Sequence, residues 1–131
     1  MDYQLKALYY EIGGQETINQ LVNAFYPRVY ADKELRPLFE GDMEEIKRKQ
    51  KLFLPQFLGG PALYSQEFGP PAMRQRHLPF KITQTKAKRW LHCMKEAFEE
   101  IGLYEQPAGK AFYERLTQVA AIMVNSPDEA E

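Results

Sequence analysis

Two histidines, one cysteine and one tryptophan carry much of the chemistry that this 131-residue sequence could support. His77 lies in MRQRHLPF, residues 73–80, where the chain passes from basic to apolar residues just before Pro79. An imidazole there could coordinate a metal, move a proton or simply satisfy a local hydrogen bond, so its surroundings must decide. His92 is different. It follows Trp90 by two positions, about 200° around a helix at ~100° per residue, and so should face solvent rather than the apolar stripe that holds Trp90. Cys93 is its neighbour, but adjacent helical residues diverge by about 100°. That is a poor geometry for joint ligation, and no separate metal site is assigned.

Three further residues place polar atoms on otherwise apolar stripes. Ile46, Gln50, Phe53 and Phe57 recur at i, i+4, i+7 and i+11, which puts the Gln50 amide on a greasy face. An unpaired amide buried there costs about 1–3 kcal/mol, so it needs a partner. Tyr26 brings a phenol to a second stripe and Trp90 an indole to a third, each with a donor that usually finds a mate when buried. Singly, each reads more readily as an ordinary residue: Tyr and Trp are frequent in cores, and Gln50 could lean outward. Together, three polar tips on three core-facing stripes suggest one polar spot inside an apolar pocket, the construction of a small-ligand site.

The elements that must position these groups are helical. GQETINQLVNAFYPRVYA, residues 14–31, carries Ile18, Leu21, Val22, Phe25, Tyr26 and Val29 at helical spacing. DMEEIKRKQKLFLPQFLGG, residues 42–60, opens on an N-cap candidate, Asp42, with acidic residues in its first turn, and stops at Gly59-Gly60. A third helix should start at Thr83 and close at Gly102, with Ala87, Trp90, Leu91, Met94, Ala97, Phe98 and Ile101 as its stripe. A fourth covers roughly 106–125, with Phe112, Leu116, Val119, Ala120 and Met123 on one face. Shorter helices are expected before Gly13-Gly14, around 34–39, and over 72–76. Pro27 and Pro55 fall inside two of the long patterns and should kink them or end them early, because a regular interior proline costs ~3 kcal/mol.

Between the second and third long helices lies GGPALYSQEFGPPAMRQRHLPFKI, too long for a simple connection. Its Leu63, Tyr64, Phe68, Met73, Leu78 and Phe80 are too many apolar groups for a disordered linker. They need a surface to bury against, and that surface need not be protein.

Length and composition set the outer bounds. A chain of this size makes one domain, 1–131 with an ordered core of about 3–126, large enough to bury a core without staples. Strand alternation is weak throughout, so the fold class is all-α. A net charge of −1 argues against nucleic acid as a partner. A single cysteine suits a reducing compartment, and no stretch is long and apolar enough for a signal or a membrane span, so a cytoplasmic location is expected.

From about Tyr9 to Asn125 the sequence resembles the truncated haemoglobins, specifically their second group. The marks are Gly13-Gly14, the Phe25-Tyr26 pair, FLPQFLGGPALYSQ at 53–66, MRQRHLPFKIT, WLHCM at 90–94 and VNSP near the end. The order RHLPF followed by a tryptophan thirteen positions after His77 is the most specific of them. This resemblance implies a two-over-two helical sandwich around haem b, iron protoporphyrin IX. It makes His77 the proximal iron ligand and Tyr26, Gln50 and Trp90 the distal polar set. Phe25, Phe39, Ile46, Phe53, Leu54, Tyr64, Met73 and Phe80 would then contact the porphyrin, with Lys49 and Arg76 as partners for its propionates. Ile46 stands where many globins place a histidine, and Phe39 where some members of the group have a tyrosine, so neither supplies a donor here.

One neutral imidazole on haem iron leaves the sixth position for dioxygen or another diatomic ligand. A desolvated hydrogen bond to a charged acceptor contributes about 1.5–3 kcal/mol, one to two decades in dissociation rate, so cooperating donors imply high oxygen affinity. The expected function is therefore reversible binding of diatomic ligands, as in oxygen transport. A redox enzyme, peroxidase-like or nitric-oxide-consuming and served by an external reductase, is the alternative. A cofactor-free helical interaction domain would require His77 and the three donors to be coincidences.

Overall fold

In the computed structural model, which describes residues 8–39, 41–72 and 81–128, the first long helix begins where glycine allows it to. Gly13 caps it in the left-handed region at φ 108°, and a side chain there would run into Thr17. Helix α1 spans Gly14–Ala31, and the six apolar positions recognised in the sequence are all buried along it, with Ala24 beside them. Helix α2 spans Met43–Phe57. The Asp42 carboxylate accepts a hydrogen bond from the Glu44 amide at 3.0 Å, while Glu44 and Glu45 place negative charge at the positive end of the helix dipole.

A six-residue helix, α3, follows at Leu63–Phe68. The sequence pattern offers no sign of it, and no side chain caps its start. What holds it is tertiary: Gln56 of α2 donates to the Ser65 hydroxyl at 2.7 Å and accepts from the Ser65 amide at 3.0 Å. Arg48 of α2 adds a two-pronged ion pair to Glu67. Helix α4, Gln84–Glu100, starts at Thr83, whose hydroxyl accepts from the Lys86 amide at 3.1 Å. Helix α5 is Pro107–Met123, with Pro107 in its first turn, where a missing N–H costs nothing. At Gly109 the backbone of α5 lies against the Leu103 carbonyl so closely that any Cβ would collide. The helical stretch at 8–11 and a 3-10 turn at Arg36–Leu38 match the two shorter helices expected around them. The expected turn over 72–76 lies almost entirely outside the described residues.

Helix α1 packs against α2 and α4, and α4 packs against α5, so the long helices form two pairs joined through α1 and α4. The core between them includes Leu21, Phe25, Val29, Ala97, Phe98 and Phe112, all nearly inaccessible. No strand occurs among the described residues, and none of their helices is long and apolar enough to cross a membrane. After α5 the chain returns to α4: the Asn125 and Ser126 amides donate to the Ile82 carbonyl, and the Asn125 side chain accepts from the Ile82 amide at 2.9 Å. That clasp fixes the point where the chain enters α4.

Neither interior proline ends its helix at once. Helix α1 runs four residues beyond Pro27 and α2 two beyond Pro55. Pro55 has no N–H to offer the Lys51 carbonyl one turn earlier. The Gln15 amide of α1 occupies that carbonyl instead, at 3.0 Å, while also donating to Asn19. A side chain of one helix thus replaces a backbone bond missing from another. Gln15→Ala should therefore cost about 1 kcal/mol in chemical unfolding. In a Pro55→Ala background, where the Lys51 carbonyl regains a helical donor, the same change should cost only a few tenths of that. Equal costs in both backgrounds would show that Gln15 does not serve the proline.

Candidate functional site

Between the helix pairs lies a cavity of about 1140 Å³, its open mouth included. Its walls come from every long helix: Phe25 and Tyr26 from α1, Gln50, Phe53, Leu54 and Phe57 from α2, Trp90 and Met94 from α4, Leu116, Val119 and Met123 from α5. Leu35, Leu38 and Phe39 close one side from the turn after α1. Several stripe residues expected in a core, among them Phe53, Phe57, Trp90, Val119 and Met123, are only half-buried because they face this cavity.

The three polar residues singled out in the sequence all line it. Tyr26 is 2% exposed. Its ring meets Phe25 edge-on at 4.9 Å and Phe39 at 5.9 Å, while Phe25 meets Trp90 at 5.3 Å. This chain of rings holds the phenol and the indole in one wall. Among the described residues, the Tyr26 hydroxyl, the Gln50 amide and the Trp90 indole have no hydrogen-bond partner. Three donors from three helices therefore open into one apolar space, where an acceptor would satisfy them.

Of the wall residues expected around a porphyrin, Phe25, Phe39, Phe53 and Leu54 line the cavity and Ile46, Lys49 and Tyr64 do not. Tyr64 is buried in α3 against Phe53 and Phe68, one layer behind. Lys49 is exposed, with its ammonium 5.5 Å from the Phe68 ring centre, held by the aromatic face. The charged residue that does line the cavity is Lys86, half-buried, its Nζ within 3.4 Å of the Lys81 carbonyl. Sequence reasoning passed over it, although it stands one turn before Trp90 at i, i+4 and so shares its face. Ile82 was also missed; only the Asn125 clasp aims it inward. His77, Met73, Arg76 and Phe80 lie outside the described residues.

His92 is solvent-facing, as its angle from Trp90 requires, and approaches Glu96 at 3.6 Å. Cys93 is buried, and burial together with the Asp32 and Glu96 charges pushes its thiol above the ordinary range. The two neighbours point in different directions.

A flat apolar body edged by carboxylates fits this enclosure. The cavity walls are aromatic and alkyl, and a cation, Lys86, lies in their lining. Burial, aided by the nearby Tyr30 phenol, drives the Tyr26 hydroxyl far above the usual tyrosine range and keeps it a donor at all ordinary pH values. A raised native value for an acid favours its neutral form. That contribution is present below the unfolded value near 10 and is lost as pH climbs toward the native one. In an alkaline titration, Tyr26→Phe should leave the native tyrosinate absorbance unchanged until the chain unfolds. A loss of one residue's absorbance near pH 10 would mean that the phenol is solvated.

The family model for bacterial-like globins matches residues 7–125. Group 2 truncated hemoglobin YjbI of Bacillus subtilis is 47% identical over 119 residues, 91% of this chain and 89% of that protein. The group II truncated hemoglobin of Bacillus anthracis superimposes with a TM-score of 0.90 at 44% identity, covering 94% of each chain. A Bacillus subtilis structure described as a truncated oxygen-avid haemoglobin gives 0.86 at 47% identity, over 90% of this chain and 98% of that one. The chain belongs to the bacterial-like globins as a group 2 truncated haemoglobin of two-on-two fold, a membership that implies a haem cofactor and the binding of small diatomic gases.

Proposed function

We propose that this globin holds haem b and binds dioxygen and other diatomic ligands reversibly, with high oxygen affinity. The observation that carries this reading is the convergence of three unpartnered donors, Tyr26, Gln50 and Trp90, on one apolar cavity. When bound, iron porphyrin would supply the metal that takes up the gas. His77 is the residue that would hold the iron.

The chain's own residues then do three things. The ring wall of Phe25, Phe39 and Phe53 excludes water and lowers the local dielectric, which strengthens any hydrogen bond made inside. Tyr26 and Trp90, linked through Phe25, donate toward a ligand that gathers partial negative charge, and Gln50 adds an amide from the facing helix. Each such bond contributes about 1.5–3 kcal/mol, so two in concert slow escape by several decades. The description of the similar Bacillus subtilis protein as oxygen-avid supports this direction. Lys86, as the cation in the cavity lining, is better situated to pair with a propionate than the exposed Lys49.

Reconstitution with hemin should yield an intense Soret band, and His77→Ala should abolish the native five-coordinate ferrous spectrum; a variant with an unaltered spectrum would move the proximal ligand elsewhere. Tyr26→Phe and Trp90→Phe should each raise the oxygen dissociation rate at least about tenfold. Rates equal to the parent's would remove the donors from the reading. Lys86→Met should speed haem transfer to an acceptor apoglobin severalfold while Lys49→Met leaves it unaltered; the reverse ranking would return the propionate to Lys49.

A further inference from the structure

One carboxylate outside the cavity touches the backbone or side chains of two of its walls. Asp32 ends α1, and its amide donates to the Val29 carbonyl at 3.1 Å. Its Oδ1 accepts from the Glu34 amide at 2.9 Å and the Leu35 amide at 3.3 Å, while its carbonyl accepts from the Leu35 and Arg36 amides. These bonds wind the turn that delivers Leu35, Leu38 and Phe39 to the cavity. Tyr30 holds the far end of that turn, its hydroxyl donating to the Phe39 carbonyl at 2.7 Å.

The same carboxylate grips α4. Arg89 Nε lies 3.0 Å from both Asp32 oxygens and a terminal nitrogen lies 3.0 Å from Oδ2, a two-pronged pair across 57 positions of sequence. Arg89 immediately precedes Trp90. Adjacent helical residues point about 100° apart, so fixing the Arg89 side chain to the end of α1 sets the rotation at which α4 presents Trp90.

The choice of residue at position 32 is itself informative. A carboxylate at a helix C-terminus faces the negative end of the dipole, the wrong place for it on local grounds. Its side chain is only 13% exposed, less than Arg89 at 46%. Burial pushes its carboxyl up, but hydrogen bonds from Arg89 and the Glu34 and Leu35 amides, with the Arg89 charge, more than reverse this and keep it ionised at neutral pH. A local conflict kept in place by long-range partners points to a constraint set elsewhere in the fold.

We propose that Asp32 and Arg89 are positioning residues that set the placement of Trp90 and Phe39 about Tyr26, and through them the strength of the donor set. This rests on the oxygen-binding reading of the cavity, and the test separates the two. Trp90 is the single tryptophan of the chain, so the fluorescence of the haem-free protein reports its surroundings alone. Arg89→Gln removes the tether and leaves the Asp32 turn bonds intact; Asp32→Asn weakens both.

In the haem-free protein, Arg89→Gln should shift the tryptophan emission to longer wavelength and raise its quenching by acrylamide. In the haem-loaded protein it should displace the infrared stretching band of bound carbon monoxide and raise the oxygen dissociation rate about three- to tenfold, since small misplacements of donors are costly. Arg89→Lys, which keeps the charge but not the fork, should fall between the parent and Arg89→Gln. Parent-like emission, quenching and carbonyl band in Arg89→Gln, in a protein that unfolds cooperatively, would overturn the proposal. If Tyr26→Phe itself left the carbonyl band and the off-rate unmoved, the oxygen-binding reading would fail, while the fluorescence arm would still decide whether the pair positions Trp90.

Discussion

A phenol almost fully buried, with no partner among the described residues, is the condition around which this molecule is organised. Where water is kept out, an unsatisfied hydroxyl costs on the order of 1–3 kcal/mol, and the Gln50 amide and Trp90 indole open into the same space. A sequence under pressure for stability alone would place Phe and Leu at these positions and let the helices close together. An acceptor entering the cavity would satisfy all three donors at once. The local structure is thereby shaped for a ligand at the expense of the free protein, as functional sites commonly are.

The cavity also explains how the helices are packed. Helix α2 packs against α1 yet buries only Leu54 and Pro55 fully, because Gln50, Phe53 and Phe57 on its inner face line the cavity. It is held from its ends and flanks: Asp42 at the start, Gln15 on the Lys51 carbonyl, and Gln56 and Arg48 on α3. Pro55 itself is buried, so the residue that breaks the backbone ladder also fills part of the core. A bond from α1 completes the ladder, which couples the shape of the wall bearing Gln50 to that of the wall bearing Tyr26.

Charge is sorted around the cavity with equal economy. Arg48 and Lys49 are drawn onto the outer face of α3, against Glu67 and the Phe68 ring. Arg28 reaches across from α1 to Glu96 and Glu100 of α4. The Arg115 guanidinium lies 5.7 Å from the Phe57 ring centre, its Nε buried without a hydrogen-bond partner among the described residues. Among the described residues, Lys86 is the charged side chain that lines the cavity. A cation half-buried beside an apolar cavity is favourable when an anion shares the site, which agrees with a cofactor that carries carboxylates.

Local chemistry in the sequence determined the long helices and the character of the site. The starts near Gly14, Met43, Gln84 and Pro107 were legible from apolar periodicity and, for α2, from the Asp42 cap, because these signals act within a few turns. The three donors were legible because a polar atom on an apolar stripe contradicts its neighbours wherever the chain folds. Only the tertiary structure decided that α3 is helical, that both prolines sit within continuing helices, that Lys86 rather than Lys49 lines the cavity, and that Asp32 meets Arg89. Each of these depends on a partner many positions away, reached by a flexible side chain. The energies involved are small beside the entropy of bringing such groups together, so they act only after the helices have already packed.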